Sequence, residues 1–338
     1  MGLPPAVTRW ASVDLGSNTF RLLLAEETAP GELRPGPLRQ RVVRLAEGLR
    51  PGGTFRPEAR ARAERLLEVF RAEMDAYGAL YRVGALAAAG RNAADGPAFA
   101  RRAGEILGGP VRIVSGEEEA RLSLRGALGL LEPPPPAGLF LDIGGGSTEV
   151  AAWEGGGRPV AAASLPVGVV SLWEAGAWSD PPAPRERATL TRRAAGAWDG
   201  LPDRLADPRW TRELGAGRAE VVATAGTPLT VAAEAFGLAI RDTRALSGRW
   251  VPREALAQVA ERFWAMTRAE RAALPSVEPG REDVILPGLS LLETFLDRYG
   301  AAGFRVSDGG LLEGILLEAV ERERGRARLV SGPAGGGQ

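Results

Sequence analysis

Carboxylates and glycines make residues 141–150 the stretch of this sequence best suited to chemistry. The stretch reads Leu-Asp-Ile-Gly-Gly-Gly-Ser-Thr-Glu-Val, which predicts a strand, a glycine turn and a second strand. Each glycine within a sheet costs roughly 0.5 to 1 kcal/mol relative to alanine, so three in a row need a reason. Backbone N–H groups that approach an anion closely, at φ angles closed to residues with a Cβ, would supply one. Because Asp142 and Glu149 flank the turn, its expected ligand is phosphate with a divalent metal, and an ordinary glycine-rich hairpin is the alternative.

A second stretch near the N-terminus repeats this pattern. Residues 14–19 read Asp-Leu-Gly-Ser-Asn-Thr between two apolar segments, and they start 128 residues before Asp142. Both stretches have Asp, an aliphatic residue, Gly and then small polar residues. A repeat at this spacing predicts two domains of one design, each with a hairpin turn. Chance similarity between short glycine-rich turns is the alternative.

The residue types that the sequence lacks narrow the chemistry. It contains no cysteine and no histidine, and all 42 of its basic residues are arginines. These absences exclude disulfides, histidine-based catalytic triads, imidazole or thiolate metal ligands and a P-loop lysine. Acid/base chemistry is therefore expected from Asp, Glu, Tyr or water. A metal would have oxygen ligands, which favours Mg²⁺, Mn²⁺ or Ca²⁺.

Length and charge are those of an ordinary globular protein. The 338 residues are enough for two domains, and the formal net charge of zero argues against a dedicated nucleic-acid or membrane-surface protein. No secretory signal and no apolar run long enough for a membrane span are visible. The expected location is cytoplasmic.

Further candidate residues lie where predicted strands meet helices. Ser115 is predicted to cap a helix whose first turn holds Glu117, Glu118 and Glu119. Either compensation of the helix dipole or a functional carboxylate would explain these three glutamates. The turn at residues 225–228 leads into a helix and predicts either a phosphate site or a plain strand-to-helix turn.

Taken in order, these motifs resemble the exopolyphosphatase/guanosine pentaphosphate phosphohydrolase (Ppx/GppA) family of the actin-like ATPase and sugar kinase superfamily. The resemblance covers about residues 8–320 and is carried by residues 14–21, 44–49, 115–121, 142–149, 225–227, 281–288 and 307–309. It implies an α/β fold of two actin-like (ribonuclease H-like) domains, each a mixed five-stranded sheet with helices, facing across a cleft. The first domain would be residues 1–131, joined by a C-terminal helix at 309–324, and the second would be residues 132–308. A disordered tail is expected at residues 325–338.

The resemblance also implies an activity and a set of site residues. The activity is Mg²⁺-dependent release of terminal phosphate from inorganic polyphosphate, or of the 5′ γ-phosphate from guanosine pentaphosphate (pppGpp), with Mn²⁺ as an alternative metal. Glu119 would be the catalytic base, and Asp14, Asp142 and Glu149 would hold the metal. The phosphate-binding residues would be Gly16, Ser17, Asn18, Arg21, Arg91, Gly144, Gly145, Gly146, Ser147, Thr148, Gly226 and Thr227. A homodimer is expected by family analogy alone, with no nucleic-acid or membrane partner.

The sequence departs from the family's pattern at four positions. Ala87 and Ala88 stand where hydroxyl residues are common, Asp95 replaces an asparagine, and Leu312 replaces an arginine. Because these changes remove candidate phosphate contacts, the alternative to an enzyme is a non-catalytic or weakly active (p)ppGpp- or nucleotide-binding regulator of the same fold. A kinase of the same superfamily is a further alternative, which Glu119 disfavours.

Overall fold

The structure, a computed structural model, describes residues 7–50, 52–240 and 243–330. The chain forms two compact units: unit 1 comprises Met1–Gly129 with Leu311–Gln338, and unit 2 comprises Leu130–Gly310. Each unit contains one β-sheet and several helices. The α/β fold predicted from the sequence is therefore confirmed.

Unit 1 is built on a mixed sheet with the strand order β12-β3-β2-β1-β4-β5. Strands β1, β4 and β5 run parallel, while β2 is antiparallel to both β1 and β3. The strands are β1 (Thr8–Leu15), β2 (Thr19–Ala29), β3 (Glu32–Val42), β4 (Tyr81–Leu86), β5 (Val111–Ile113) and β12 (Arg328–Leu329).

The helices of unit 1 pack on this sheet around a buried apolar core. Pro57 occupies the first turn of α1, and Gly78 ends this helix in the left-handed conformation, which suits glycine. The helices are α1 (Pro57–Tyr77), α2 (Ala88–Asn92), α3 (Gly96–Leu107), α4 (Gly116–Gly129) and α14 (Leu311–Arg324).

The last helix of the chain, α14, packs closely on α4. A Cβ at Gly314 would collide with the carbonyl oxygen of Leu122, so only glycine permits this approach. The buried Ser12 hydroxyl of β1 donates to the Leu312 carbonyl at 3.0 Å. Unit 1 therefore includes α14 in its core.

Unit 2 has the strand order β10-β11-β9-β6-β7-β8, with β6, β9 and β11 parallel to one another. Its strands are β6 (Gly138–Ile143), β7 (Thr148–Glu154), β8 (Arg158–Leu165), β9 (Glu220–Thr224), β10 (Trp250–Pro252) and β11 (Gly303–Val306). Its helices are α5 (Val169–Glu174), α6 (Pro184–Ala197), α7 (Asp203–Ala206), α8 (Arg209–Gly215), α9 (Gly226–Phe236), α10 (Thr243–Leu246), α11 (Arg253–Ala265), α12 (Arg268–Ala272) and α13 (Ile285–Tyr299), with a 3₁₀ turn at Trp198–Gly200.

The structure differs from the sequence-based expectation at the sheet edges and the tail. Each sheet has six strands rather than five, because the short strands β10 and β12 extend one edge. Strand β12 lies in the segment that was expected to be disordered, and it pairs in parallel with β3. The rest of that segment, residues 331–338, lies outside the described residues.

Both sheets place candidate site loops at the carboxyl ends of parallel strands. In unit 1 these ends lead into the turn at residues 16–18, into α2 and into α4. In unit 2 they lead into the turn at residues 144–147, into α9 and into residues 307–310. Ligand sites of open α/β sheets lie at this edge. No helix among the described residues is long and apolar enough to cross a membrane.

Candidate active site

Glu119 and Arg91 form a partly buried ion pair in unit 1. Arg91 donates through Nη1 to Oε2 of Glu119 at 2.6 Å and to the Val114 carbonyl at 2.9 Å. The Glu119 residue is only 8% exposed. Charge-assisted hydrogen bonds of this kind hold a carboxylate in one orientation. Arg91 therefore positions the predicted catalytic base.

Glu119 has a different environment from its two neighbours in α4, Glu117 and Glu118. Ser115 caps the helix, since its hydroxyl accepts the Glu118 amide at 3.1 Å. Glu117 is exposed and pairs with Arg121, whereas Glu118 pairs with Arg112. Helix capping and surface ion pairs thus account for Glu117 and Glu118, and Glu119 alone is buried at the strand-to-helix junction.

The first hairpin turn lies between β1 and β2. Its Gly16 amide donates to the Thr19 carbonyl at 3.2 Å, and Asp14 faces Arg21 across the two strands. Arg21 in turn donates through Nε to Oε1 of Gln40 on β3 at 3.0 Å. One row of the sheet therefore carries Asp14, Arg21 and Gln40 side by side.

The second hairpin turn, between β6 and β7, has the same register. Its Gly144 amide donates to the Ser147 carbonyl at 3.0 Å, and Asp142 faces Glu149. Ser164 on β8 donates to Oε1 of Glu149 at 2.6 Å. The Asp142, Glu149 and Ser164 row of unit 2 corresponds to the Asp14, Arg21 and Gln40 row of unit 1, so the structure confirms the predicted repeat.

The glycines of the second turn differ from the prediction in one respect. None of Gly144, Gly145 and Gly146 has a positive φ, so the backbone conformation does not require glycine. Only Gly144 is needed by the turn itself, because a Cβ there would lie 2.8 Å from the Ser147 carbonyl oxygen. A Cβ at Gly146 would enter open space. The protein's own packing therefore does not explain this glycine, and close approach of a ligand would.

Helix α5 fixes the direction of the second turn. The amides of Val169 and Val170, at its N-terminus, donate to the carbonyls of Gly144 and Gly145 at 3.0 and 2.8 Å. The C=O and N–H groups of a trans peptide point in opposite directions, so the amides of Gly145 and Gly146 point away from α5. Within the described residues, no protein acceptor binds these amides. Two neighbouring amides of this kind can donate hydrogen bonds to an anion.

The turn before α9 is strained, and an arginine lies against it. Ala225 has φ 73° and ψ −171°, a region of backbone conformation that is populated almost only by glycine. The Arg281 guanidinium occupies the space where a Cβ at Gly226 would lie. Strain of this kind clusters at ligand sites. Gly226 and Arg281 thus bring a helix N-terminus and a cation together, an arrangement that suits phosphate.

The hydroxyl groups of two threonines predicted to bind phosphate lie against other parts of the protein. Thr148 is buried, and its hydroxyl donates to the Val167 carbonyl at 2.7 Å. Thr227 is buried with its hydroxyl against Gly288 of α13, where glycine makes room for it. Both hydroxyls support the packing of their turns, and the assignment of the two residues as phosphate ligands stays a prediction.

Sequence reasoning missed Ser164 and Arg281 as site residues. Ser164 lies in an alanine-rich strand, and only the strand register places it beside Glu149. Arg281 lies in the motif at residues 281–288, which served to identify the family resemblance but was given no role. That motif was the signal that could have found Arg281.

The structure explains two of the four departures from the family pattern. Asp95 accepts the Phe55 amide at 3.0 Å, and Leu312 is buried in unit 1. Both residues therefore serve the fold. Ala87 lies just before α2 and Ala88 is its first residue, and nothing in the structure explains their lack of a hydroxyl.

Metal binding is best supported at the Asp142 and Glu149 row. The described residues contain no group of three or more carboxylates that could by itself hold a metal ion. Mg²⁺ commonly uses only one or two carboxylates, together with water and substrate phosphates. Asp142 and Glu149 are cross-strand neighbours with oxygen ligands, and they fit this requirement. Asp14, by contrast, has the cation Arg21 as its neighbour.

Comparisons with known proteins point to one family. The family model described as "Ppx/GppA phosphatase family" matches residues 35–323. Exopolyphosphatase 2 of Mycobacterium tuberculosis is 35% identical over 325 residues, which cover 92% of this chain and 98% of that protein. The crystal structure of the Aquifex aeolicus Ppx/GppA family member has a TM-score of 0.78 and 25% identity, covering 94% of this chain and 99% of that one. An exopolyphosphatase-like protein gives the same TM-score at 28% identity, with the same coverage of both chains.

Proposed function

Because the chain belongs to the Ppx/GppA phosphatase family and is a hydrolase of phosphoric anhydrides, we propose that it releases the terminal phosphate of inorganic polyphosphate by Mg²⁺-assisted attack of water. The observation that carries this proposal is the buried Glu119 carboxylate, held by Arg91 at 2.6 Å beside the carboxyl ends of parallel strands. Phosphoryl transfer to water needs positioning, charge neutralisation and a carboxylate, and it needs no histidine, cysteine or lysine.

Glu119 is the proposed general base in unit 1. It orients the attacking water and accepts its proton, while the water oxygen forms a bond to the terminal phosphorus. The bridging P–O bond breaks, and the chain that leaves is one phosphate shorter. Arg21 neutralises negative charge on the phosphates, and Arg91 keeps the Glu119 carboxylate in place. The three non-bridging oxygens carry most of the charge that these groups stabilise.

Asp142 and Glu149 are the proposed Mg²⁺ ligands in unit 2. Ser164, which donates to Glu149 at 2.6 Å, fixes the orientation of that carboxylate. When bound, Mg²⁺ supplies a positive charge that neutralises phosphate oxygens. We propose that three groups of this unit donate hydrogen bonds to phosphate oxygens: the amides of Gly145 and Gly146 and the guanidinium of Arg281.

Guanosine pentaphosphate is the second proposed substrate. Its 5′ triphosphate presents the same anhydride to the same groups, so Glu119 would act on it in the same way. The regulator alternative predicts binding of such ligands without turnover. Phosphate release therefore separates the two hypotheses.

The test is phosphate release from long-chain polyphosphate and from guanosine pentaphosphate in Mg²⁺, for the wild type and for Glu119→Gln. Glutamine keeps an oxygen acceptor for Arg91 but cannot take up the proton. We expect kcat to fall by about 10²- to 10⁴-fold, which is the usual contribution of one general base.

Glu117→Gln is the matched control. Glu117 lies in the same helical turn, is exposed and pairs with Arg121, so this variant should keep wild-type kcat. Equal thermal midpoints would show that both variants are folded. If Glu119→Gln retains wild-type kcat, or if the wild type releases phosphate from neither substrate, the proposed function is wrong.

A further inference from the structure

The loop between β3 and α1, described at residues 43–50 and 52–56, borders the candidate site of unit 1 on two sides. We call it the arginine loop. The amides of Val43 and Arg44 both donate to the Asn18 carbonyl at 2.8 Å, and the Ala46 amide donates to the Ser17 carbonyl at 2.9 Å. The loop is therefore bonded directly to the first hairpin turn.

The far end of the arginine loop is bonded to the segment that carries Arg91. The Gly52 amide donates to the Asn92 carbonyl at 2.9 Å, and the Ala94 amide donates to the Gly53 carbonyl at 2.7 Å. Residues 16–18 and α2 both follow the carboxyl ends of parallel strands, β1 and β4. The loop thus connects two of the segments that form the candidate site.

Buried side chains anchor this loop to unit 1. Val43, Leu45 and Phe55 are each at most 4% exposed. Asp95 fastens the end of the loop by accepting the Phe55 amide at 3.0 Å. Asp95, one of the departures from the family pattern, thus holds the end of the loop from outside it. The loop is a fixed surface rather than an unsupported connection.

The exposed side chains of this surface are basic. Arg44, Arg50 and Arg56 are exposed, and among the described residues none of the three has a carboxylate partner. The loop's single acidic residue, Glu47, is paired with Arg62 at 2.7 Å. By contrast, Arg39 on β3 is paired with Glu73, and Arg60 on α1 is paired with Glu64. The loop therefore presents three cations whose charge the protein itself leaves unbalanced.

Arg44 also has an uncommon backbone conformation. Its φ of 53° places it in the left-handed region, which residues with a Cβ adopt only occasionally. In this conformation its amide bonds to Asn18 and its side chain stays exposed. A strained residue that is cationic and adjoins a candidate site is a feature typical of ligand contacts.

We propose that the arginine loop binds the internal phosphates of a polyphosphate chain whose terminal phosphate is in the candidate active site. This inference rests on the proposed function and adds a second binding site to it. An unbranched polyanion is the ligand that three fixed arginines fit. Single-stranded nucleic acid also needs exposed aromatic side chains for base stacking, and the loop's one aromatic residue, Phe55, is buried.

The test is a triple variant, Arg44→Gln, Arg50→Gln and Arg56→Gln, assayed with long-chain polyphosphate and with tripolyphosphate. We expect KM for the long chain to rise about tenfold or more, because hydrogen bonds to charged groups are lost. KM for tripolyphosphate and kcat for both substrates should stay at wild-type values. Binding to the long chain should also become less dependent on salt, since fewer charges are neutralised.

The matched control changes three exposed arginines elsewhere, Arg65→Gln, Arg101→Gln and Arg158→Gln. It has the same net charge as the loop variant, so it should keep wild-type KM for the long chain. The inference is overturned if both triple variants raise this KM equally. It is also overturned if the loop variant raises KM for tripolyphosphate as much as for the long chain.

Direct binding of fluorescently end-labelled polyphosphate separates this inference from the proposed function. If the wild type releases no phosphate yet binds the labelled chain more tightly than the loop variant does, the proposed function fails and the loop site stands. If the two proteins bind it equally, the loop site fails whatever the activity. Displacement of the labelled chain by oligo(dT) of equal charge at equal concentration would overturn the assignment to polyphosphate.

Discussion

The two hairpin turns have the same backbone design but carry different charge. In unit 1, Asp14 faces Arg21, which bonds to Gln40; in unit 2, Asp142 faces Glu149, which accepts from Ser164. Both turns close with an amide-to-carbonyl bond from their first glycine. The repeat therefore preserves geometry, and the chemistry differs at one facing position.

Because of this difference, the two turns are suited to different ligands. A carboxylate opposite an arginine is balanced, whereas two carboxylates directly opposite each other destabilise a sheet. The Asp142 and Glu149 row is thus suited to a cation, and the Arg21 side of the other row is suited to an anion. We therefore propose that one fold, used twice, supplies a metal site in one unit and a phosphate contact in the other.

Among substitutions that test this difference between the two turns, removal of the Glu149 carboxylate should have the largest effect. We expect Glu149→Gln to weaken Mg²⁺ binding at least about 100-fold, because loss of an outer partner alone costs about 10- to 100-fold. Titration of activity with Mg²⁺, together with Mn²⁺ binding followed by electron paramagnetic resonance, measures this. Unchanged Mn²⁺ affinity would show that the row is not a cation site.

Arg21→Gln should have a smaller and different effect. Loss of one charge-assisted contact is worth about 1.5–3 kcal/mol, so KM for polyphosphate should rise about 10- to 100-fold. The Mg²⁺ concentration for half-maximal activity should not change. If that concentration moves in step with KM, the two rows do not have separate ligands.

Gly146→Ala should weaken substrate binding and stabilise the fold. The added methyl would enter the open space beside the turn and raise KM a few-fold. Because φ is not positive there, the free energy of unfolding should increase by about 0.4–1 kcal/mol. Gly196→Ala, in α6 and also next to open space, is the control that should add stability without changing KM. An unchanged KM in Gly146→Ala would mean that no ligand approaches the turn.

Asn18→Gly, which makes the first turn more like the second, should have the smallest effect. Glycine adds flexibility to the unfolded chain, so the free energy of unfolding should fall by less than about 1 kcal/mol. The Asn18 carbonyl, which accepts the amides of Val43 and Arg44, is retained. Thermal unfolding measures the change, and a loss of several kcal/mol would show that the two turns are not equivalent.

Local signals were enough to predict the turns and several helix ends. Gly78 ends α1 and Ser115 caps α4 because each acts on its own backbone neighbours. The pairing of Asp142 with Glu149 also follows from a short hairpin. These features were predictable because the interacting groups are close in sequence.

Features that depend on distant residues were not predictable. The direction of the Thr148 and Thr227 hydroxyls depends on Val167 and Gly288, which come from other segments. The edge strands β10 and β12 are too short to have a periodic pattern of their own.

The packing of α14 on α4 affects the order in which the protein can fold during synthesis. Unit 2 is continuous in sequence, but unit 1 lacks a helix of its core until residues 311–324 leave the ribosome. At about 5–20 residues per second, the 181 residues between Gly129 and Leu311 take roughly 10–40 s to translate. Throughout that interval the surface of α4 that receives Gly314 is uncovered. The segment that carries Glu119 is thus among the last parts of the protein to acquire its final packing, and a nascent chain should become active only after α14 is made.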